Sequence, residues 1–279
     1  MRLFALVCLT MTAFAANSVL NRLALAGGEA GAASFAALRL VSGALMLFAL
    51  VHLRGARLPR GGGWSGPLAL FAYMVGFSYA YLTLDAGVGA LILFGGVQVT
   101  MFAGALLRAE AIPAARWAGA VLAFSGLVFL MWPSGPAQVS PTGAGLMLVA
   151  ALGWGIYSLL GAGARDPLGR TGRNFLLAAP LGLAVLVVLP DGLSLQGASL
   201  AVISGAVTSG LGYALWYHVL PQLSASIAAI AQLTVPIIAL AGGMIFLGET
   251  ADWRFAVAAL MVLGGVALSL YRSRGSSGS

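Results

Sequence analysis

Lysine is absent from the sequence, so all 14 basic residues are arginine. A phosphate-cradling P-loop needs its lysine, so an ATP-driven motor of that kind is excluded, and Schiff-base chemistry goes with it. Charge of either sign is scarce. Only 8% of the 279 residues are charged and 61% are hydrophobic, against about 25% charged in an ordinary soluble domain. So few charges cannot cover the surface of a soluble protein of this length. One cysteine, Cys8, excludes an intramolecular disulfide and a cysteine-rich metal site. Two histidines, His52 and His218, are too few and too far apart in sequence for a metal cluster. No metal and no cofactor is expected. The seven acidic residues are scattered, without an acidic doublet. This argues against an enzyme, in particular a membrane-embedded lipid-modifying transferase, whose site gathers carboxylates or histidines near one interface.

What the sequence has is long apolar runs. A helix crossing the hydrocarbon needs about 20 largely apolar residues. Ten such runs are expected, near 3–25, 32–53, 66–84, 88–107, 112–132, 142–163, 174–190, 198–220, 224–247 and 253–271. Alternating segments of period two are missing, which argues against a transmembrane barrel. Continuous apolar stretches satisfy their own backbone in lipid as helices. The fold class expected is therefore an all-α membrane protein with ten transmembrane helices. The first run has a rival reading as a secretory signal, with Arg2, an apolar stretch and Ala13-Phe14-Ala15. Residues 275–279, all Gly or Ser, read as an appended linker outside the fold.

The arginines give an orientation. With the N-terminus in the cytoplasm, Arg2, Arg54, Arg57, Arg60, Arg108, Arg116, Arg165, Arg170, Arg173, Arg272 and Arg274 all fall on the cytoplasmic side. Only Arg22 and Arg254 fall opposite, and Arg39 lies inside a span. The positive-inside rule then predicts a multi-pass inner-membrane protein of bacterial type with both termini cytoplasmic. The net charge of +7 is thereby assigned to loops, and no nucleic-acid partner is expected.

The chain also compares with itself at a shift of 139 to 140. Glu110 falls on Glu249, Gly126 on Gly265, Trp132 on Tyr271, Phe14 on Trp154, Ser18 on Ser158, Ala90 on Ala229 and Phe77 on Trp216. Two five-helix repeats are expected, over 1–139 and 140–274. An odd number of spans per repeat makes the second run inverted, a plan of secondary transporters that bind substrate near the midplane. The rival is chance similarity among Ala/Leu/Gly-rich helices.

On these residues the sequence resembles the EamA branch of the drug/metabolite transporter superfamily. Each half of that family ends in a helix, then Gly-Glu, then a Gly-containing helix. The second half here reads Phe246-Leu247-Gly248-Glu249-Thr250, followed by Leu263-Gly264-Gly265-Val266. The first half reads Leu107-Arg108-Ala109-Glu110 and Ser125-Gly126-Leu127, without the Gly before Glu110. Gly153-Trp154-Gly155 matches the Trp-containing opening helix, where the first half has Phe14. Pro236 matches a mid-helix proline, replaced by Val97 in the first half. Within the superfamily, aromatic amino-acid exporters of the YddG type are similar in size.

Polar and aromatic residues inside spans are the candidates for a substrate site. Thr10, Phe14, Asn17 and Asn21 are spaced 4, 3 and 4 apart and share one helical face. Trp154, Tyr157 and Ser158 form the corresponding stripe of the sixth span. These stripes either line one cavity or bond helix to helix. Tyr73, Tyr213 and Trp216 add faces for stacking and cation–π contact. Trp64, Trp132 and Trp253 read as interfacial anchors, and Tyr81 and Tyr217 are open to the same reading. Arg39 could bind a substrate carboxylate or pair with Asp85 or Glu29. Gln98 and Gln232 can donate and accept. Gly95, Gly96 and Pro236 are hinge candidates, by bending or by static kinking. Glu110 and Glu249, at span ends, read as caps or loop partners. The function expected is a secondary exporter of small organic metabolites, most of all aromatic or apolar amino acids, working by alternating access as a monomer or homodimer among membrane lipids. The alternative is an exporter of drugs or other metabolites on the same fold.

Overall fold

The structure, a computed structural model, describes residues 1–59, 61–107, 109, 112–132, 139–161, 164–223 and 231–271. Among these the regular elements are helices. They are α1 (Arg2–Ala26), α2 (Ala32–Leu53), α3 (Ser65–Ala80), α4 (Ala86–Leu107), α5 (Ala114–Met131), α6 (Pro141–Gly161), α7 (Pro167–Val188), α8 (Leu195–Gln222), α9 (Val235–Leu247) and α10 (Trp253–Tyr271). Seven of them, α1, α2 and α4 to α8, are long and apolar enough to cross a membrane. The apolar stretches of α9 and α10, Val235–Leu247 and Trp253–Leu268, are shorter. α3 has 16 residues. Residues 224–230, where the ninth run was expected to begin, lie outside the described residues. So do Glu110, Arg60, Arg108, Arg272, Arg274 and the tail 275–279.

Polar residues set the helix starts. Asp166 accepts from Gly169 N at 3.0 Å and Ser194 Oγ from Gly197 N at 3.0 Å. Each satisfies an orphan N–H of a first turn. With Pro167 fixing φ at the first position, α7 begins ahead of the apolar run expected from 174. α3 stops at Ala80, short of 84, because residues 81–84 form a turn. Pro236 was expected to bend the middle of a span. It stands in the first turn of α9, directly after a turn at 233–234 that separates α9 from the helical residues 231–232, and its missing N–H breaks no bond within α9. Gly95 and Gly96 lie inside an unbroken α4, packed against Leu127 and Ala151 respectively.

Two helix ends are capped from a distance. Asp191, after α7, takes Ala33 N at 2.8 Å and Ser34 N at 2.9 Å at the start of α2. Glu249, after α9, takes Ala86 N at 2.9 Å at the start of α4. Carboxylates at helix N-termini also meet the positive end of the dipole.

The main packings are α2 on α7 and α8, α3 on α6, α5 on α10, α1 on α8 and α9, and α4 on α6 and α9. Small residues allow close approach. A Cβ at Gly265 would lie 2.5 Å from Gly119 O, and one at Gly126 would lie 3.1 Å from Ala258 O. Gly143, at the start of α6, abuts Thr83 and Leu84 just past the end of α3. α6 therefore starts at the end of the bundle where α1 and α3 finish. Outward-facing Phe48, Phe124, Ile245, Phe246 and Leu260 are exposed, an apolar coat suited to lipid.

Candidate functional site, a central aromatic cavity

Four helices bring rings to the middle of the bundle. The α1 face expected from its spacing is buried at all four positions: Thr10, Phe14, Asn17 and Asn21. Tyr73, Phe77 and Tyr81 stand four residues apart, on one side of α3 and just past its end. Phe77 packs 5.4 Å from Tyr73 and 4.7 Å from Tyr81, between ring centroids. Trp154 of α6 is the hub, with Tyr73 at 5.0 Å, Tyr213 of α8 at 5.1 Å and Tyr157 stacked at 5.5 Å. Phe14 meets Tyr213 edge-on at 5.8 Å and Trp216 at 5.9 Å. These are offset and edge geometries that aromatic rings favour.

Phe14, Asn17, Ser18, Tyr73, Phe77, Leu93, Phe94, Trp154 and Tyr213 enclose a cavity. Its free volume is about 10 Å³, close to the room one water needs. Of the residues expected to touch substrate, Asn17, Tyr73, Trp154 and Tyr213 line it. Trp216 backs Phe14, and Tyr157 backs Trp154. Ser158 turns its hydroxyl onto Trp154 O at 2.7 Å, and Asn21 bonds Asn17 O at 2.8 Å. Gln98 and Gln232 are half-buried and do not border the cavity. Tyr81, open to an interfacial reading, is fully buried and bonds Ala86 O at 3.3 Å.

The sequence reading missed a hydroxyl cluster. Ile203–Leu211 of α8 is a π-helical stretch, a wider turn that often marks functional sites. It aims Ser204, Thr208 and Ser209 at Asn17 Oδ1, with Ser204 at 2.9 Å and Ser209 at 3.3 Å. Thr208 also reaches Ser204 O at 2.9 Å, so its single proton serves one of the two acceptors. Three hydroxyls within six residues were visible in the sequence, but α-helical spacing does not put them on one face.

Arg39 of α2 is fully buried. The expected pairing with Asp85 or Glu29 is not made. Asp85 binds Arg22, and Glu29 accepts from the Ser194 hydroxyl. Arg39 donates instead from Nη2 to the Tyr73 hydroxyl at 3.2 Å and from Nε to Ser209 Oγ at 3.3 Å. Its guanidinium lies 4.9 Å from the Phe77 ring and 5.5 Å from the Tyr73 ring, within cation–π range. Arg39 Nη1 and the Tyr213 hydroxyl are both buried without a close hydrogen-bond partner among the described residues.

Polar contacts cross the bundle on either side of the cavity. At one end Arg22 bonds Asp85 at 3.2 Å, Glu249 at 3.1 Å and Tyr81 O at 3.2 Å. Burial pushes the Glu249 carboxyl above its ordinary value. Asp85 adds to that shift, while Ala86 N–H and Arg22 oppose it. A cleft of about 300 Å³ opens there, lined in part by Thr83, Asp85, Glu249, Thr250 and Arg254. It is larger than the aromatic cavity but contains none of its rings. At the other end Tyr157 donates to Thr171 at 3.2 Å, and Arg173 reaches Gly63 O at 3.1 Å.

Comparison with known proteins gives this arrangement a family. Residues 141–271 match the model of the EamA-like transporter family. An uncharacterized protein of Pseudomonas aeruginosa is 49% identical over 96% of this chain and 94% of its own length. The chain belongs to the EamA-like transporter family. As a member it is a multi-pass membrane protein of a transporter family, with a small-molecule substrate. It is 25% identical to an uncharacterized transporter of Archaeoglobus fulgidus, over 79% of this chain and 82% of that protein. It is also 25% identical to a probable amino-acid metabolite efflux pump of Salmonella typhimurium, over 68% of this chain and 69% of that protein. A solved crystal structure has the same fold, with a TM-score of 0.66 at 21% identity, covering 94% of this chain and 98% of that one.

Proposed function

We propose that this EamA family member exports small organic metabolites, aromatic and apolar amino acids foremost, by alternating access around the central cavity. The observation that carries the reading is the ring cluster of Phe14, Tyr73, Trp154 and Tyr213, contributed by α1, α3, α6 and α8. It faces a small cavity within the bundle, with polar contacts on either side. Rings of this kind stack on an aromatic or apolar side chain, and hydroxyls and amides beside them suit a polar head. The Salmonella typhimurium relative, named for amino-acid metabolite efflux, supports the same class.

The reading takes the protein as ten spans in two inverted repeats, 1–139 and 140–274. Its packing supports that plan. Exchanging α1 with α6, α2 with α7, α3 with α8, α4 with α9 and α5 with α10 carries the α2–α7, α4–α9 and α5–α10 packings onto themselves and α3–α6 onto α1–α8, while the extensive α2–α8 packing falls on a smaller α3–α7 one. Gly126 and Gly265 are 139 positions apart, as are the Gly119 and Ala258 carbonyls they face. Substrate then sits between repeats that rock about it. The arginine distribution orients the Arg22–Glu249 end outward and both termini to the cytoplasm of an inner membrane.

The test is uptake of a panel of labelled amino acids into proteoliposomes, with and without a pH gradient. The reading expects saturable, protein-dependent flux of phenylalanine, tryptophan or leucine. Absence of such flux for every amino acid would remove the substrate class.

A further inference from the structure

We propose that Arg39, with the Tyr213 hydroxyl beside it, forms an anion subsite of the central cavity that requires a carboxylate on the transported molecule. The inference rests on the cavity being the transport site and names the chemistry that site selects. A guanidinium stays ionised under all physiological conditions, and within a bilayer it needs an anion, polar partners or water. The only acidic ion pairs among the described residues belong to Arg22. Arg39 has neutral partners alone, the Tyr73 and Ser209 hydroxyls and two ring faces. Among the described residues no carboxylate neutralises its positive charge.

Among the described residues two buried polar atoms then lack a close hydrogen-bond partner, Arg39 Nη1 and the Tyr213 hydroxyl oxygen, the second with the Tyr73 hydroxyl as its neighbour. Both can donate. The Tyr213 ring borders the cavity together with Tyr73; both rings pack on Trp154, and the Tyr73 hydroxyl is the one that Arg39 holds. A pair of donors beside a fixed positive charge calls for an acceptor-only anion with two oxygens, which describes a carboxylate. A water could accept one bond and would leave the charge uncompensated. An amine head group would add a second cation.

The site is also rigid. A Cβ on Gly205 of α8 would lie 2.2 Å from Arg39 O, so the π-helical stretch presses directly on the α2 backbone at this residue. The guanidinium itself is held in the interior by its hydrogen bonds to the Tyr73 and Ser209 hydroxyls. Arg39 lies behind the Tyr73 and Phe77 rings that line the cavity, and Trp154 and Phe14, which line it too, are left to take the rest of the molecule.

The experiment uses the full chain in detergent and in proteoliposomes. First, the thermal stability of the purified protein is measured with 3-phenylpropionate, phenethylamine, phenylalaninamide or sodium chloride at matched ionic strength. The carboxylate is expected to raise Tm, and the amine, the amide and the salt are not. Second, the same compounds compete with labelled phenylalanine for uptake. 3-Phenylpropionate should compete, with the amine and the amide weaker by about tenfold or more, the size of one charge-assisted hydrogen bond. In Arg39→Gln that preference should vanish, and Arg39→Lys should restore part of it.

Equal stabilisation by acid and amine, or by chloride and acid, would overturn the proposal, as would an unchanged preference in Arg39→Gln. If Arg39→Gln fails to fold, the wild-type Tm comparison and Tyr213→Phe, expected to weaken 3-phenylpropionate severalfold, decide it. Absence of phenylalanine flux together with a carboxylate-specific rise in Tm would count against amino-acid transport while supporting the subsite. Phenylalanine flux with no preference for the carboxylate would do the reverse.

Discussion

Trp154 touches three rings at once, Tyr73, Tyr157 and Tyr213, so it is the residue whose loss should change the cavity most. Trp154→Ala is expected to raise the half-saturation concentration for phenylalanine about tenfold while the purified protein stays monodisperse. Unaltered transport would remove Trp154 from the site. Asn17 has a different task. Its amide oxygen gathers Ser204, Thr208 and Ser209. Asn17→Ala would leave these hydroxyls short of a buried acceptor and should destabilise the protein by about 1–3 kcal/mol, seen as a lower midpoint in thermal unfolding. At this scale the sequence was half legible. The α1 stripe could be read because polar residues stand out against an apolar helix at a 4-3-4 spacing. Phe77, Leu93 and Phe94 could not, because an apolar residue in an apolar span carries no contrast. Arg39 was conspicuous as a buried charge, but its neutral partners come from α3 and α8, which no local pattern connects to it.

At the scale of elements, the Arg22–Asp85–Glu249 contacts tie α1 and the turn before α4 to the loop after α9, across the two halves. Glu249 titrates above its ordinary value here, chiefly because it is buried. In an arrangement opened to water it would return toward the ordinary range, about 4–5. Protonation therefore favours the closed arrangement. That advantage is full below the ordinary carboxylate value and is lost as pH rises through the raised closed-state value. Spin labels at Thr83→Cys and Thr250→Cys, in a Cys8→Ser background, should show a shorter and narrower distance distribution at pH 5 than at pH 7. Glu249→Gln should hold the short distance at both. A distribution insensitive to pH would remove Glu249 as the titrating group. The helix boundaries were legible where caps mark them, as at Asp166-Pro167, although an apolar-run criterion started α7 too late. The π-helical stretch was not legible, because its widened turn depends on packing against Asn17 and Arg39.

For the whole molecule, the two-fold pattern of contacts predicts paired behaviour at repeat-related positions. Gly126 and Gly265 each leave room for a carbonyl of the opposite helix in the α5–α10 contact. Gly126→Val and Gly265→Val should therefore lower the unfolding temperature in detergent to a similar degree, each by an overpacking cost of about 1–3 kcal/mol. Widely different effects would argue against equivalence of the halves. The all-helical membrane architecture was legible from composition and run length. The early end of α3 was not, since the turn after Ala80 falls within apolar sequence. The central claim is that one cavity faces each side of the membrane in turn. Ser18 lines that cavity and is buried. The most direct test is labelling of Ser18→Cys, in the Cys8→Ser background, by an impermeant maleimide in right-side-out and inside-out vesicles. Reaction from both sides, slowed by phenylalanine in each, is the predicted result. Reaction from one side only would contradict alternating access.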